Sequence, residues 1–237
     1  MNAEEVLRRY ALGDRNFAEA MLQESEILHA SLLEANFQQV DFRQARLGQS
    51  NFSQTNLRQA DLSEALLWGT DFSEADLSAA RLRETDLSGA KLIRCNLSGA
   101  YLLKAILNGA NGNTANFARA LLIEADLQSS SDRRTDLGHV NFSHADMSYV
   151  RLGGALLFDA NLTGARLCRA DFTGTLQSGF AAADLTQANL QAADLSYANL
   201  KGAILREANL RGADLTGVDL TDVDLSGAVM PDGRIHN

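Results

Sequence analysis

Side chains able to do chemistry are few and scattered in this chain of 237 residues. His139 and His144 lie five residues apart. No cysteine stands near them and the spacing suits no tetrahedral metal site, so solvated positions are expected for both. The acidic residues, 30 in all, are spread along the chain rather than set in pairs against a pocket. Many Asp directly precede a Leu or Phe, where a carboxylate can hydrogen-bond the local backbone and hold a turn. No Ser–His–Asp spacing, phosphate-cradling glycine loop or Cys/His cluster occurs. The chain is therefore expected to carry no catalytic, cofactor-binding or metal-binding residues, and not to be an enzyme.

What must position the side chains is a repeat. From Leu57 to Leu107 every fifth residue is large and apolar. Two residues before each stands a small one, such as Ala60, Thr70 or Cys95, and Asp or Asn usually lies between, as in Asp61 and Asn96. A period of five is neither helical nor that of a strand; a fixed short repeat means a stacked solenoid. The phase begins at Phe17 and holds to Phe172, broken only at Gly112 and Asp132. The next large residue in the pattern is Phe180, eight positions on, and the new phase runs from there to Met230. Three extra residues are expected within 173–179.

This pattern resembles the pentapeptide repeat family, roughly A(D/N)Lxx, over nearly the whole chain, and most closely its bacterial and cyanobacterial members. The resemblance implies an all-β solenoid: a right-handed quadrilateral β-helix of about eleven coils, four pentapeptides to a coil, with the large residue and the small one before it pointing inward. Coils stacked at strand spacing, ~4.8 Å, give a rod on the order of 50 Å long.

The expected organisation is a helical cap over 1–16, a first run of repeats over 17–172, the insertion over 173–179, a second run over 180–230 and a tail over 231–237. Asn2 can cap the helix, Glu5 stands at the capping-box position and Gly13 can end it. Val6, Leu7, Tyr10 and Ala11 share a face that would cover the edge of the first coil. Pro231 and the Asp232–Gly233 turn stop the coil, and the tail is expected to fold over the last one. Cys95 falls inward and Cys168 outward on distant coils, so no disulfide is expected.

A net charge of −9 argues against direct nucleic-acid binding through phosphates. Nothing approaches a membrane span or a signal peptide, so a cytoplasmic protein without membrane contact is expected, as a monomer.

With twenty residues to a coil, Tyr101 and Leu103 lie directly below Leu121 and Ile123, a two-by-two apolar block facing outward. Leu66 and Trp68, counted with these four in the candidate partner-binding patch, project from the next face, with Ile106 two coils further on, and Leu156 and Phe158 from another. Gly112 and Asp132 are twenty apart and fall on one face of adjacent coils, where the turn-rich loops around them are expected to bulge out together; the alternative is a candidate notch for a ligand or partner. The expected function is a non-enzymatic protein-interaction scaffold. The alternative, implied by the resemblance, is a duplex-mimicking binder of DNA gyrase of the quinolone-resistance type. Against it stand outward basic residues such as Arg43, Arg81 and Arg83, and a tail with too few apolar residues for the dimerising helix of those members.

Overall fold

The computed structural model describes residues 1–174, 180 and 182–237. Parallel backbone bridges join residues twenty apart, and four fall in each twenty: Asn36 to Asn56, Asp41 to Asp61, Arg46 to Leu66 and Asn51 to Asp71. Each repeat turns a corner in the same way. The Ala65 N–H donates to the Leu62 carbonyl at 3.1 Å, and Glu64 between them takes a left-handed φ of 60°. The preceding Asp closes the turn: the Ser63 N–H donates to Asp61 Oδ1 at 3.1 Å. This is the role expected of the Asp and Asn residues. On one face the asparagines also bond to each other from coil to coil, as Asn56 Nδ2 does to Asn36 Oδ1 at 2.9 Å.

The large residues form buried interior columns, and the small residues fill the gaps between them. Phenylalanines stack where they succeed one another, Phe17 on Phe37 at 5.2 Å and Phe52 on Phe72 at 5.7 Å between ring centroids. At several of the small positions that hold Ser or Thr, the buried hydroxyl donates to a carbonyl of the preceding coil: Thr70 to Leu47 at 3.0 Å and Thr85 to Leu62 at 2.9 Å. At Thr70 and Thr85 the polar group thus enters the core satisfied. Cys95 occupies such a small site, and burial pushes its thiol well above its usual range.

The helix α1 (Ala3–Ala11) is capped by Asn2, whose side chain accepts from the Glu5 N–H at 2.9 Å. Val6 joins the core and the Tyr10 hydroxyl donates to the Leu33 carbonyl at 3.1 Å. Leu7 and Ala11, expected on the same face, are exposed. Val6, with Ala3 and Tyr10 partly buried beside it, makes the contact with the core. At the other end Val229 pairs antiparallel with Ile235, and the Pro231 carbonyl accepts from the Gly212 N–H at 2.9 Å. The tail folds back on the last repeats through the Asp232–Gly233 turn.

Two excursions interrupt the stack. The bridge offset changes from 20 residues (Ile106 to Asp126) to 25 (Asn111 to Asp136), and later to 28 (Leu156 to Asp184). The first excursion expels 128–134. Its neck is closed by Thr135, whose hydroxyl accepts from the Gly109 N–H at 2.9 Å and donates to the Gln128 carbonyl at 2.7 Å. The second departs after Phe172 and returns at Ala183, whose N–H donates to the Phe172 carbonyl at 2.9 Å. It adds eight residues, not three, because 28 exceeds the usual 20 by that number. Most of the insertion expected over 173–179, namely 175–179, lies outside the described residues. Phe180 does not begin the second run: the next large inward residue is Leu185, and Phe180 is only partly buried.

Candidate interaction surface

Of the two pattern breaks only that at Asp132 bulges out, and Gly112 forms no notch with it. Gly112 stays in register, its N–H donating to the Asp136 carbonyl at 2.7 Å. It is a core position without a side chain, and Leu137 fills the space: a Cβ on Gly112 would lie 3.1 Å from Leu137 Cδ2. Asp132 replaces no core residue. It sits exposed in the first excursion, where its carboxylate accepts from the Ser130 hydroxyl at 2.9 Å.

The excursions are instead paired with one another. They leave the stack from the same corner two coils apart, with the regular Gly153–Gly154 corner of the intervening coil between them. Arg134 Nε donates to the Gly154 carbonyl at 2.7 Å, and its guanidinium lies 5.8 Å from the centre of the Phe180 ring. Glycines make room at their base. A Cβ on Gly109 would lie 2.7 Å from Ser130 Oγ, and one on Gly153 would collide with the Thr173 carbonyl oxygen. Beside the first excursion runs a trough of about 500 Å³, floored by Gly69, Gly89 and Gly109 and bordered by Trp68, Lys91 and Asp132.

Trp68 therefore belongs to this trough and not to the apolar block. Its ring lies flat against the neighbouring coil, so that a Cβ on Gly48 would come within 2.6 Å of Trp68 Cε2. Leu66 is on the same face as Trp68, half-exposed beside it. On yet another face Phe158 is exposed and meets His139 edge-on at 5.5 Å. His139 Nδ1 lies 3.1 Å from Asp159 Oδ2. Among the described residues no His, Cys, Asp and Glu are grouped to hold a metal ion, and no helix is long and apolar enough to cross a membrane.

The four residues of the apolar block do come together. Tyr101 bridges to Leu121, and the Lys104 N–H beside Leu103 donates to the Ile123 carbonyl at 3.0 Å. Tyr101 is 50% exposed and Leu121 37%. With Arg81 and Arg83 at one end they line a groove of about 390 Å³. The arginines are engaged by acids: Arg81 lies 3.6 Å from Asp61 and Arg83 lies 2.7 Å from Glu64. Hydrogen bonding from Gln44, with Arg83 nearby, holds the Glu64 carboxyl below its ordinary range. The groove is thus an apolar wall with a neutralised polar end. Elsewhere basic residues likewise pair with acids one coil away, as Lys91 does with Asp71 at 3.5 Å and Arg166 with Asp146 at 3.6 Å. Cations interleave with carboxylates along the rod.

Comparison with known proteins places this geometry. The crystal structure of HetL, a pentapeptide repeat protein involved in heterocyst differentiation regulation from the cyanobacterium Nostoc sp. strain PCC 7120, is similar over 100% of both chains, with 60% identity and a TM-score of 0.98. QnrB1, a plasmid-mediated fluoroquinolone resistance protein, is a distant likeness: 19% identity, 86% of this chain and 92% of that one, TM-score 0.39. A pentapeptide repeat protein of the Arabidopsis thaliana thylakoid lumen shares 26% identity over 51% of this chain and 68% of its own, TM-score 0.21. No curated protein matches the sequence. The profile for pentapeptide repeats matches residues 16–49, 50–89, 80–111, 135–174, 183–222 and 193–231. The stretches it leaves between 111 and 135 and between 174 and 183 hold the two excursions. By this match, and by the likeness to HetL, the chain belongs to the pentapeptide repeat family.

Proposed function

We propose that the protein is a non-enzymatic scaffold that binds protein partners in the cytoplasm and acts, like its relative HetL, in the regulation of heterocyst differentiation. The fold assigned to it is a right-handed quadrilateral β-helix of about eleven coils, a rod that presents fixed faces. The observation that carries the binding reading is the groove at Tyr101, Leu103, Leu121 and Ile123. Repeat positions that elsewhere hold Asp, Asn, Ser or Arg hold four apolar side chains in one block. Such a contiguous exposed patch marks an interaction site far better than scattered apolar residues do. The interleaved cations, with a net charge of only −9, favour this reading over mimicry of a uniformly acidic duplex.

The test is affinity capture from a cyanobacterial lysate, with the wild-type protein beside the Leu103→Asp/Leu121→Asp variant. Both side chains point out of the core, so thermal melting should be unchanged. A partner held by the wild type and lost from the variant is the expected result. A partner retained equally by both would remove the groove from the reading.

A further inference from the structure

The face that carries the apolar groove changes character one coil further on. Its corner column, from Glu24 to Glu124, holds only Glu, Gln or Lys. It then holds Tyr149, Arg169 and Tyr197, and ends on Gly217. All three large residues sit at left-handed corners, with φ of 59°, 57° and 58°, a conformation bulky side chains enter at a cost. Tyr149 and Tyr197 are the only Tyr, Phe or Trp residues at such corners among the described residues.

The two rings enclose the arginine. The Arg169 guanidinium lies 5.8 Å from the centre of the Tyr149 ring and 5.8 Å from that of Tyr197, within cation–π range on both sides. Tyr197 in turn rests on Gly217, where a Cβ would lie 2.6 Å from its ring. The tyrosines are 49% and 60% exposed. Other cations of this face, Arg43, Arg81, Arg83, Lys104 and Arg166, each have a carboxylate within 4.0 Å. Among the described residues Arg169 has none. An exposed guanidinium flanked by two rings and without a counter-charge is a pre-organised anchor for a carboxylate.

Resting on the scaffold reading above, we propose that the groove and this clamp form one two-point docking site. Its partner is a protein segment that presents an Asp or Glu carboxylate to Arg169 and a bulky apolar side chain to Leu121 and Ile123. The anchors are two coils apart, ~10 Å at strand spacing. That separation is about three residues of an extended segment or about seven of a helix. Tyr and Arg at the centre of such a face are the residue types that dominate protein–protein binding energy.

The experiment is selection of random twelve-residue peptides displayed on phage against the full-length protein. Synthesised winners are then measured by fluorescence anisotropy against the wild type, Arg169→Glu, Arg169→Gln and Leu103→Asp/Leu121→Asp, each checked for unchanged melting. Winners should carry an acid at one of the two spacings from a large apolar residue. Arg169→Glu and Arg169→Gln should each weaken binding about tenfold or more, the scale of one charge-assisted contact. Selection that yields no peptide, or peptides without an acid, overturns the proposal. So does binding that survives both Arg169 variants. If such binding is still lost in Leu103→Asp/Leu121→Asp, the groove stands and only the clamp falls; if it survives there too, both fall.

Discussion

The stretch from 17 to 127 and the stretch from 128 to 185 use the same repeat and give different molecules. In the first, every bridge spans twenty residues and one coil predicts the next. In the second, two excursions leave from one corner and are tied together by Arg134. The inward columns barely register the difference: Leu137 succeeds Gly112 and Leu185 succeeds Leu157, all of them buried. The core of a stacked repeat tolerates what the corner does, provided that each coil returns to register. Stability therefore belongs to the columns, and individuality to corners and faces.

The sharpest way to break this contrast is to cut a column. Leu87→Ala removes a fully buried side chain from the regular stretch and should cost roughly 2–5 kcal/mol in chemical denaturation. A cost well under that range would mean that coils relax around cavities.

Glycines test the corner at smaller scale. Gly153→Ala drives a methyl into the Thr173 carbonyl oxygen at the foot of the second excursion, and should cost about 1–3 kcal/mol, the usual penalty of overpacking. Gly89→Ala places a methyl in open space, so only its left-handed φ of 63° is penalised, at about 1 kcal/mol. Equal effects of the two would show that the excursion is not held tightly against its coil.

Removing the first excursion should have the smallest effect. Deleting residues 129–133 joins Gln128 to Arg134 and leaves Leu127-Gln128-Arg134-Thr135-Asp136-Leu137 in unbroken pentapeptide phase. The deletion variant should fold and melt within a few degrees of the wild type, on the scale of about 1 kcal/mol. A large loss of stability would mean that the excursion supports the stack instead of decorating it.

That deletion also explains where the sequence misled. An insertion of five residues leaves a five-residue phase unchanged, so the first excursion is silent in the pattern and Asp132 reads as a flawed core position. An insertion of eight reads as three, which makes Phe180 look like a core residue. Periodicity reports insertions only modulo its own period. The apolar block of Tyr101, Leu103, Leu121 and Ile123 was legible because it lies before either excursion, where twenty residues separate neighbours. The clamp was not, because Tyr197 is 28 residues from Arg169, across the second excursion.

What the sequence determines by itself is the inward order of the regular stretches: which of their residues are buried, which Asp and Asn close turns, and that Asn2 caps a helix. These are local matters, decided within one or two repeats by side-chain volume and nearby backbone groups. What only the tertiary structure decides is which outward residues become neighbours. Lateral contact depends on the total length of chain between two coils, and that length is set where the excursions leave and rejoin the stack.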